Sequence, residues 1–299
     1  MKEIHLICNP TSGKGNALSA LNKIKSWLPT QKDLNVVIHM TENIGHATSL
    51  ARDLSSGPNH KTVLILGGDG TVNEVLNGIV DFDKITIGIL PFGSGNDFVK
   101  ALKMTNFDPI SLMEKYTKDP KKKKIDYLLL NDKYRAINEV GLGMSAEVIG
   151  FRNRMKHFKP DTQYKIATVV RALLWKGFKY DLAIDKNGTS PIKSMWFTMN
   201  NGTTVGGGMV TAADAKVDDG LISVMFVKTF NRLKTLSVLT KCKKGKVAQL
   251  KETGQFTCKE IDLYANDVIV EYDGNLLEHQ NHINVKIVPG KINLLVVDK

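Results

Sequence analysis

The chain has 299 residues, 42% of them hydrophobic and 24% charged, an ordinary balance for a folded chain long enough for two domains and a sizeable core. No apolar run reaches the ~20 residues of a membrane-spanning helix, and three cysteines (Cys8, Cys242, Cys258) form neither a disulfide framework nor a metal-ligand spacing. The formal net charge of +11 suits an acidic partner, such as an anionic membrane surface or a phosphorylated ligand. No RNA-binding signature with interleaved aromatics is present, so no nucleic-acid partner is expected.

The first hundred residues alternate in type. "IHLIC" (4–8) reads as a buried strand, and a helix follows with Ala17, Leu21, Ile24 and Leu28 on one face. "NVVIH" (35–39) is a second strand, and the next helix carries Ala47, Leu50, Ala51 and Leu54. "TVLIL" (62–66) is a third strand. After its glycines, Val72, Val75, Leu76, Ile79 and Val80 fall at i, i+3, i+4, i+7 and i+8, an amphipathic helix. "ITIGIL" (85–90) is a fourth strand, followed by a loop and a short helix through Leu102. Such alternation predicts a parallel sheet with helices on both faces, a three-layer α/β domain. The apolar stretch at the N-terminus is too short for a signal peptide, so a cytoplasmic protein is expected.

The texture changes near residue 120. After "KDPKKKK" come short β-rich segments, among them "IDYLLL", "SMWFTM", "LISVMFV", "DVIVEY" and "INVKIV", separated by turn signals such as Asp273-Gly274. That pattern suits an antiparallel sandwich or barrel, interrupted by helices near 162–176 and 231–241. The expected division is a nucleotide-binding domain over 1–126 and a β-sandwich substrate domain over 127–289. The last strand, "INLLVV", is a candidate to return to the first domain and complete it with 290–299.

Three glycine-bearing loops each follow a strand: "NPTSGKG" (9–15), "GGDGT" (67–71) and "PFGSGNDF" (91–98). Glycines let phosphate oxygens approach the backbone, and free N–H groups at a helix start attract anions. Parallel strands bring all three loops to one sheet edge, where open α/β folds bind ligands. A carboxylate at Asp69, beside phosphates, makes sense with Mg²⁺ between them. Neither a Walker A sequence nor a GxGxxG fingerprint is present.

These loops resemble the first three motifs of the diacylglycerol kinase catalytic-domain family, in its bacterial lipid kinase branch, related to sphingosine kinases. "NEVGLGMSAEV" (138–148), "GGGMVTAADAKVDDGLISV" (206–224) and "YDGN" (272–275) resemble the later motifs, in order along nearly the whole chain. "GGDGT" is shared with NAD kinases and phosphofructokinases, whose N-terminal fold is similar; "VNEV" and "GSGND" favour the lipid kinases. The resemblance implies an α/β domain, a β-sandwich domain and ATP in the cleft between them. It places Asn9, Pro10, Thr11, Ser12, Gly13, Thr41, Gly67, Gly68, Asp69, Gly70, Thr71, Val72, Asn73, Ser94 and Asp97 on nucleotide-binding positions, with Asp69 the catalytic, metal-linked aspartate. Asp126 matches an aspartate at the domain junction. Lys216, Asp219 and Leu221 fall on a structural Mg²⁺ site, although this chain has "TAADAK" where the family has a proline.

One departure bears on chemistry. The family ends its last motif with a glutamate that acts as general base on the lipid hydroxyl, and this chain has Asn275 there. An amide takes up no proton near neutral pH; Glu278, three residues on, is the substitute within reach of a hairpin. The expectation is an ATP-dependent lipid kinase acting on diacylglycerol or a similar lipid alcohol, peripheral at an anionic inner membrane face, with family members often homodimers. The rivals are a catalytically weak nucleotide- and lipid-binding homologue and a soluble NAD-kinase-like enzyme.

Overall fold

The computed structural model describes residues 2–104, 107–155, 160–228, 231–247 and 250–297. The chain forms two compact units, Met1–Tyr127 with Pro289–Lys299 and Leu128–Val288.

The first unit alternates strand and helix. In chain order it holds β1 (Lys2–Cys8), α1 (Asn16–Trp27), β2 (Leu34–Met40), α2 (His46–Ser56), β3 (Lys61–Gly67), α3 (Asp69–Gly78), β4 (Ile85–Pro91), α4 (Asp97–Ala101), α5 (Pro109–Lys118) and the start of β5 (Lys121–Leu130). The sheet runs β2-β1-β3-β4, all parallel. Val63, Leu64, Ile65 and Leu66 are buried in succession, the mark of a parallel strand covered on both faces. The last strand of the chain enters beside β4, with Asn293 opposite Thr86 and Leu294 opposite Ile87, in parallel.

Two features of this unit differ from the sequence expectation. α5 was not expected; Asp108 caps it by accepting from the Ile110 and Ser111 N–H groups, and Pro109 supplies its first residue. The helix after the glycines stops at Gly78, so Val80 lies beyond it and is 60% exposed. Gly78 sits where a Cβ would come 2.2 Å from the Thr48 carbonyl oxygen. The helix therefore ends on a close backbone approach to α2, and its apolar pattern outruns it.

The second unit is β-rich. It contains β6 (Tyr134–Ala136), β7 (Glu139–Gly143), α6 (Met144–Arg154), α7 (Pro160–Leu174), β8 (Phe178–Ile184), β9 (Ser190–Ser194), β10 (Trp196–Asn200), β11 (Thr204–Val205), β12 (Met209–Val210), β13 (Ile222–Val227), α8 (Arg232–Lys243), β14 (Thr253–Cys258), β15 (Glu260–Tyr272) and the first part of β16 (Asn275–Val296). Antiparallel pairing gives the order β14-β13-β10-β7-β15, with β15 also pairing β8 and β16. Val140, Leu142, Phe197, Met199, Val270 and Val285 build its core. The residues between them along β7, β10 and β15 point to the opposite face by the two-residue period of a strand. That second face carries Glu139, Thr198, Asn200 and Glu271, all buried. α6 was not expected either, because its sequence was read only as a motif.

Candidate functional site

In the first unit, the loops after β1, β3 and β4 stand at the ends of adjacent strands and touch through backbone. A Cβ on Gly93 would come 2.3 Å from the Gly68 Cα, and one on Gly13, whose φ is +60°, would come 2.2 Å from the Phe92 carbonyl oxygen. Only glycine permits both approaches. The Phe92 N–H donates to the Gly67 oxygen and the Asn9 N–H to the Leu66 oxygen, each at 3.0 Å.

Side chains lock this contact. The Asn9 Nδ2 donates to Thr71 Oγ1 at 3.2 Å, while its Oδ1 accepts from the N–H and hydroxyl of Thr11. Asn96, in the left-handed region, closes the third loop. Its Oδ1 accepts from the Gly93 N–H at 3.0 Å, and its Nδ2 donates to the Pro91 and Gly93 oxygens. The Asp97 N–H donates to Asp69 Oδ2 at 3.3 Å, and the Asp97 carboxylate pairs with Lys100 at 2.8 Å. Asp69 is the first residue of α3, whose N-cap is Gly68 with no side-chain cap. The first-turn N–H groups of this helix thus lack the usual side-chain acceptor, and nothing lies within 4 Å of the Cβ direction of Gly70.

The sequence-predicted residues of the first unit fall into four groups. Asn9, Thr11, Gly13, Gly67, Gly68, Asp69, Thr71 and Asp97 are brought together by the contacts above; Gly70 lies between Asp69 and Thr71 with open space beside it, and Pro10 and Ser12 lie in the first loop. Ser94 is exposed at the tip of the third loop, and Thr41 follows β2, its N–H donating to the Cys8 oxygen at 2.9 Å. The side chains of Val72 and Asn73 are buried in α3, and Asn73 Oδ1 accepts from Asn77 at 3.1 Å. The Val72 N–H already donates to the Gly68 oxygen at 3.1 Å. Asp126 is 1% exposed and accepts from the Gly290 N–H at 2.7 Å, which ties the final strand to this unit.

The second unit builds a turn at Asp273-Gly274 that is pinned from two sides. The Asp273 carboxylate accepts from the N–H groups of Ile137, Asn138 and Glu139 at 2.6, 3.0 and 3.0 Å. The Gly274 N–H donates to Glu271 Oε1 at 2.6 Å. Gly274 has a φ of +89°, as a tight hairpin turn requires. Asn275 is exposed, its Nδ2 donating to the Tyr272 oxygen at 3.4 Å. Glu278 is also exposed and stands where the β15–β16 register slips between Leu277 and Gln280.

Glu271 was missed by the sequence reading. It lies opposite Gly141 across β7 and β15, is 1% exposed, and its Oε2 lacks a hydrogen-bond partner. A Cβ on Gly141 would come 2.9 Å from that oxygen and 2.4 Å from Ser145 Oγ. Burial pushes the Glu271 carboxyl up to about 8; the Gly274 N–H opposes this and the Asp273 charge adds to it. Glu139, 6% exposed, sits two residues from Gly141 on the same face. The available signal was "VIVEY", a glutamate amid a strand of apolar neighbours.

The motifs imply a bound Mg²⁺. No cluster of three or more His, Cys, Asp or Glu side chains able to hold a metal occurs among the described residues. Mg²⁺ in nucleotide sites is held by one or two carboxylates plus substrate phosphates, and the single Asp69 carboxylate fits that mode. In the 216–221 loop, the Lys216 and Leu221 carbonyls and Asp219 are oxygen donors of the right kind. The Asp219 Oδ1 already accepts from the Leu221 N–H at 3.1 Å.

Comparison with known proteins decides the family. Residues 3–129 match the family described as the diacylglycerol kinase catalytic domain, and residues 138–296 match the YegS C-terminal NAD kinase beta sandwich-like domain. The chain belongs to the diacylglycerol kinase-like lipid kinase family. A Bacillus subtilis (strain 168) protein named "Putative lipid kinase YtlR" is 28% identical, covering 93% of this chain and 94% of the relative. "Putative lipid kinase SAS0691" of Staphylococcus aureus (strain MSSA476) is 30% identical over 97% of this chain and 93% of its own. Among solved structures, a "putative diacylglycerol kinase" from Bacillus anthracis str. Sterne superposes with a TM-score of 0.78 at 20% identity, over 99% of this chain and 95% of that one. An NAD kinase from Archaeoglobus fulgidus in complex with ATP gives 0.52 at 13% identity, over 98% and 93%. Both likenesses are of fold: an α/β first unit and a β-rich second unit. As a member of this family the chain is a kinase by kinship.

Proposed function

We propose that this protein is an ATP-dependent lipid kinase that phosphorylates diacylglycerol or a similar lipid alcohol. The observation that carries the reading is the backbone-to-backbone junction of Gly13, Gly68 and Gly93 beside Asp69 at the start of an α3 without a side-chain cap. Phosphoryl transfer depends mainly on positioning and charge neutralisation. Loop and helix N–H groups hold the ATP phosphates, and Asn9 and Asn96 keep those groups aimed. Asp69 would hold a Mg²⁺ that comes with the nucleotide, and that ion would supply charge neutralisation for the phosphates. Incubation of the purified chain with ATP radiolabelled at the γ-phosphate and a panel of lipid alcohols, NAD and sugar phosphates tests this. Label in a phosphorylated lipid supports the reading, and label in NADP or a sugar phosphate overturns it.

A second reading has its own observation. The amide of Asn275 stands where the family's glutamate removes the lipid hydroxyl proton, a contribution of about 10²–10⁴-fold. On that reading the chain binds nucleotide and lipid and turns over slowly. The same assay separates the two by rate.

A further inference from the structure

The sheet of the second unit carries a hollow on the side away from its core. Tyr180, Leu182, Leu263 and Ile283 point into the core, so the residues between them along β8, β15 and β16 face outward. One outward row crosses four strands. Pro191 on β9 stands opposite Asp181 on β8, Asp181 opposite Tyr264 on β15, and Tyr264 opposite His282 on β16. In the next outward row, Lys193 on β9 stands directly opposite Lys179 on β8. The hollow over these rows measures about 710 Å³, within the size range of small-molecule sites.

Its lining is specialised in three ways. Tyr264 is 44% exposed and lies flat on the His282 ring, with centroids 4.6 Å apart and planes 10° apart. His282 is held in turn by Asp262 at 2.8 Å. A supported ring with an open face is a stacking platform. Lys179 and Lys193 are both exposed, and like charges directly opposite on a sheet repel; an anion between them removes that cost. β15 bulges just after Tyr264. Its register with β16 slips between Tyr264 and Val268, Asp267 adopts a φ of +51°, and the Asp267 N–H donates to Asn281 Oδ1 at 2.8 Å. Bulges re-aim side chains beside sites, and Asn266 and Asn281 complete the lining at this one. Lysines alone guard an edge strand; a supported aromatic ring and a bulge add nothing to that task.

We infer that this hollow binds a nucleoside monophosphate. The order of its groups matches that ligand: the phosphate lies between Lys179 and Lys193, the ribose hydroxyls donate to the Asp181 carboxylate, and the base stacks on Tyr264. Lys179 and Asp181 are two residues apart on one strand, about 7 Å, and Asp181 and Tyr264 are cross-strand neighbours, about 5 Å. The three are therefore stepped as phosphate, sugar and base are. The amides of Asn266 and Asn281 supply both donors and acceptors for the base edge. All these residues belong to the second unit, so the inference uses none of the glycine loops and does not depend on the lipid-kinase reading.

The test is titration of the full chain with AMP, followed by NMR at the ring C–H signals of His282, which a base stacked on Tyr264 shifts. No lipid or Mg²⁺ is added, so a chain without kinase activity answers it equally well. Wild type shows a saturable shift, and Gly93→Ala shows the same one. Tyr264→Ala raises the dissociation constant about 5- to 150-fold, and Tyr264→Phe, which keeps the ring, leaves it near wild type. Lys179→Gln/Lys193→Gln weakens AMP to the level of adenosine and leaves adenosine unchanged. The substituted tyrosine and lysines are exposed, and thermal melts confirm the fold of each variant. Four results overturn the inference: no shift at His282 with millimolar AMP, equal binding by Tyr264→Ala and wild type, ribose 5-phosphate binding as tightly as AMP, or a single-stranded oligonucleotide that shifts the signal where AMP does not.

Discussion

Replacing Glu271 by glutamine should remove a pH dependence of stability from the second unit. The carboxyl is 1% exposed and raised to about 8 from a reference of 4.5. A carboxyl raised on folding binds more protons in the native state than in the unfolded one, so stability is fully present below about pH 4.5 and falls as pH rises toward 8. At 1.36 kcal/mol for each unit the full window is worth at most about 5 kcal/mol. Glutamine has the shape of the protonated acid and keeps an oxygen for the Gly274 N–H. The variant should therefore match wild type near pH 5 and exceed it near pH 8. Trp175 and Trp196 lie in the second unit and Trp27 in the first. In a Trp27→Phe background, tryptophan fluorescence in urea reports the second unit alone. Parallel stability curves for the two proteins between pH 5 and 8 would refute the assignment of a protonated Glu271.

The remaining predictions concern the reaction. Asp69→Asn lowers turnover by on the order of 10³-fold and leaves the thermal melt unchanged; near wild-type turnover with MgATP moves the metal-linked residue elsewhere. Gly93→Ala drives a Cβ to 2.3 Å from the Gly68 Cα, parts the second and third loops, and lowers kcat/KM for ATP by on the order of 10²-fold; unchanged kinetics show that the loops do not hold the nucleotide. Asn275→Glu restores a proton acceptor and raises turnover by about 10²–10⁴-fold. If Glu278→Gln instead destroys activity and Asn275→Glu leaves it unchanged, Glu278 is the base.

The parallel strands of the first unit were legible because each is an apolar run bounded by glycine, and the burial of Val63 to Leu66 on both faces is what such a run means. Their three loops were legible as a group for the same reason. α5 was not, since its start depends on Asp108 and Pro109 acting as cap and first residue in a stretch that otherwise reads as loop. The end of α3 was misread because Val80 continues the helical period, whereas the close approach of Gly78 to Thr48 is a tertiary event. Glu271 was invisible for a similar reason. Its burial depends on Gly141 standing opposite it and leaving room for a carboxylate, a pairing across two strands 130 residues apart in sequence.

The same turn is fixed by the residues on either side of it. Asp273 accepts three N–H groups from 137–139, which fixes the turn against β7. Glu271 takes the Gly274 N–H from the other side. With both neighbours of the turn satisfied and Gly274 supplying the left-handed step, the backbone conformation is set before residue 275 begins the next strand. Asn275 adds an exposed bond to the Tyr272 oxygen at 3.4 Å, which is long for a hydrogen bond and open to water. Exchange at 275 therefore alters the chemistry displayed on the turn and leaves its geometry almost untouched. A glutamate introduced there finds its backbone already in place, which makes the rate, and not the fold, the quantity that responds.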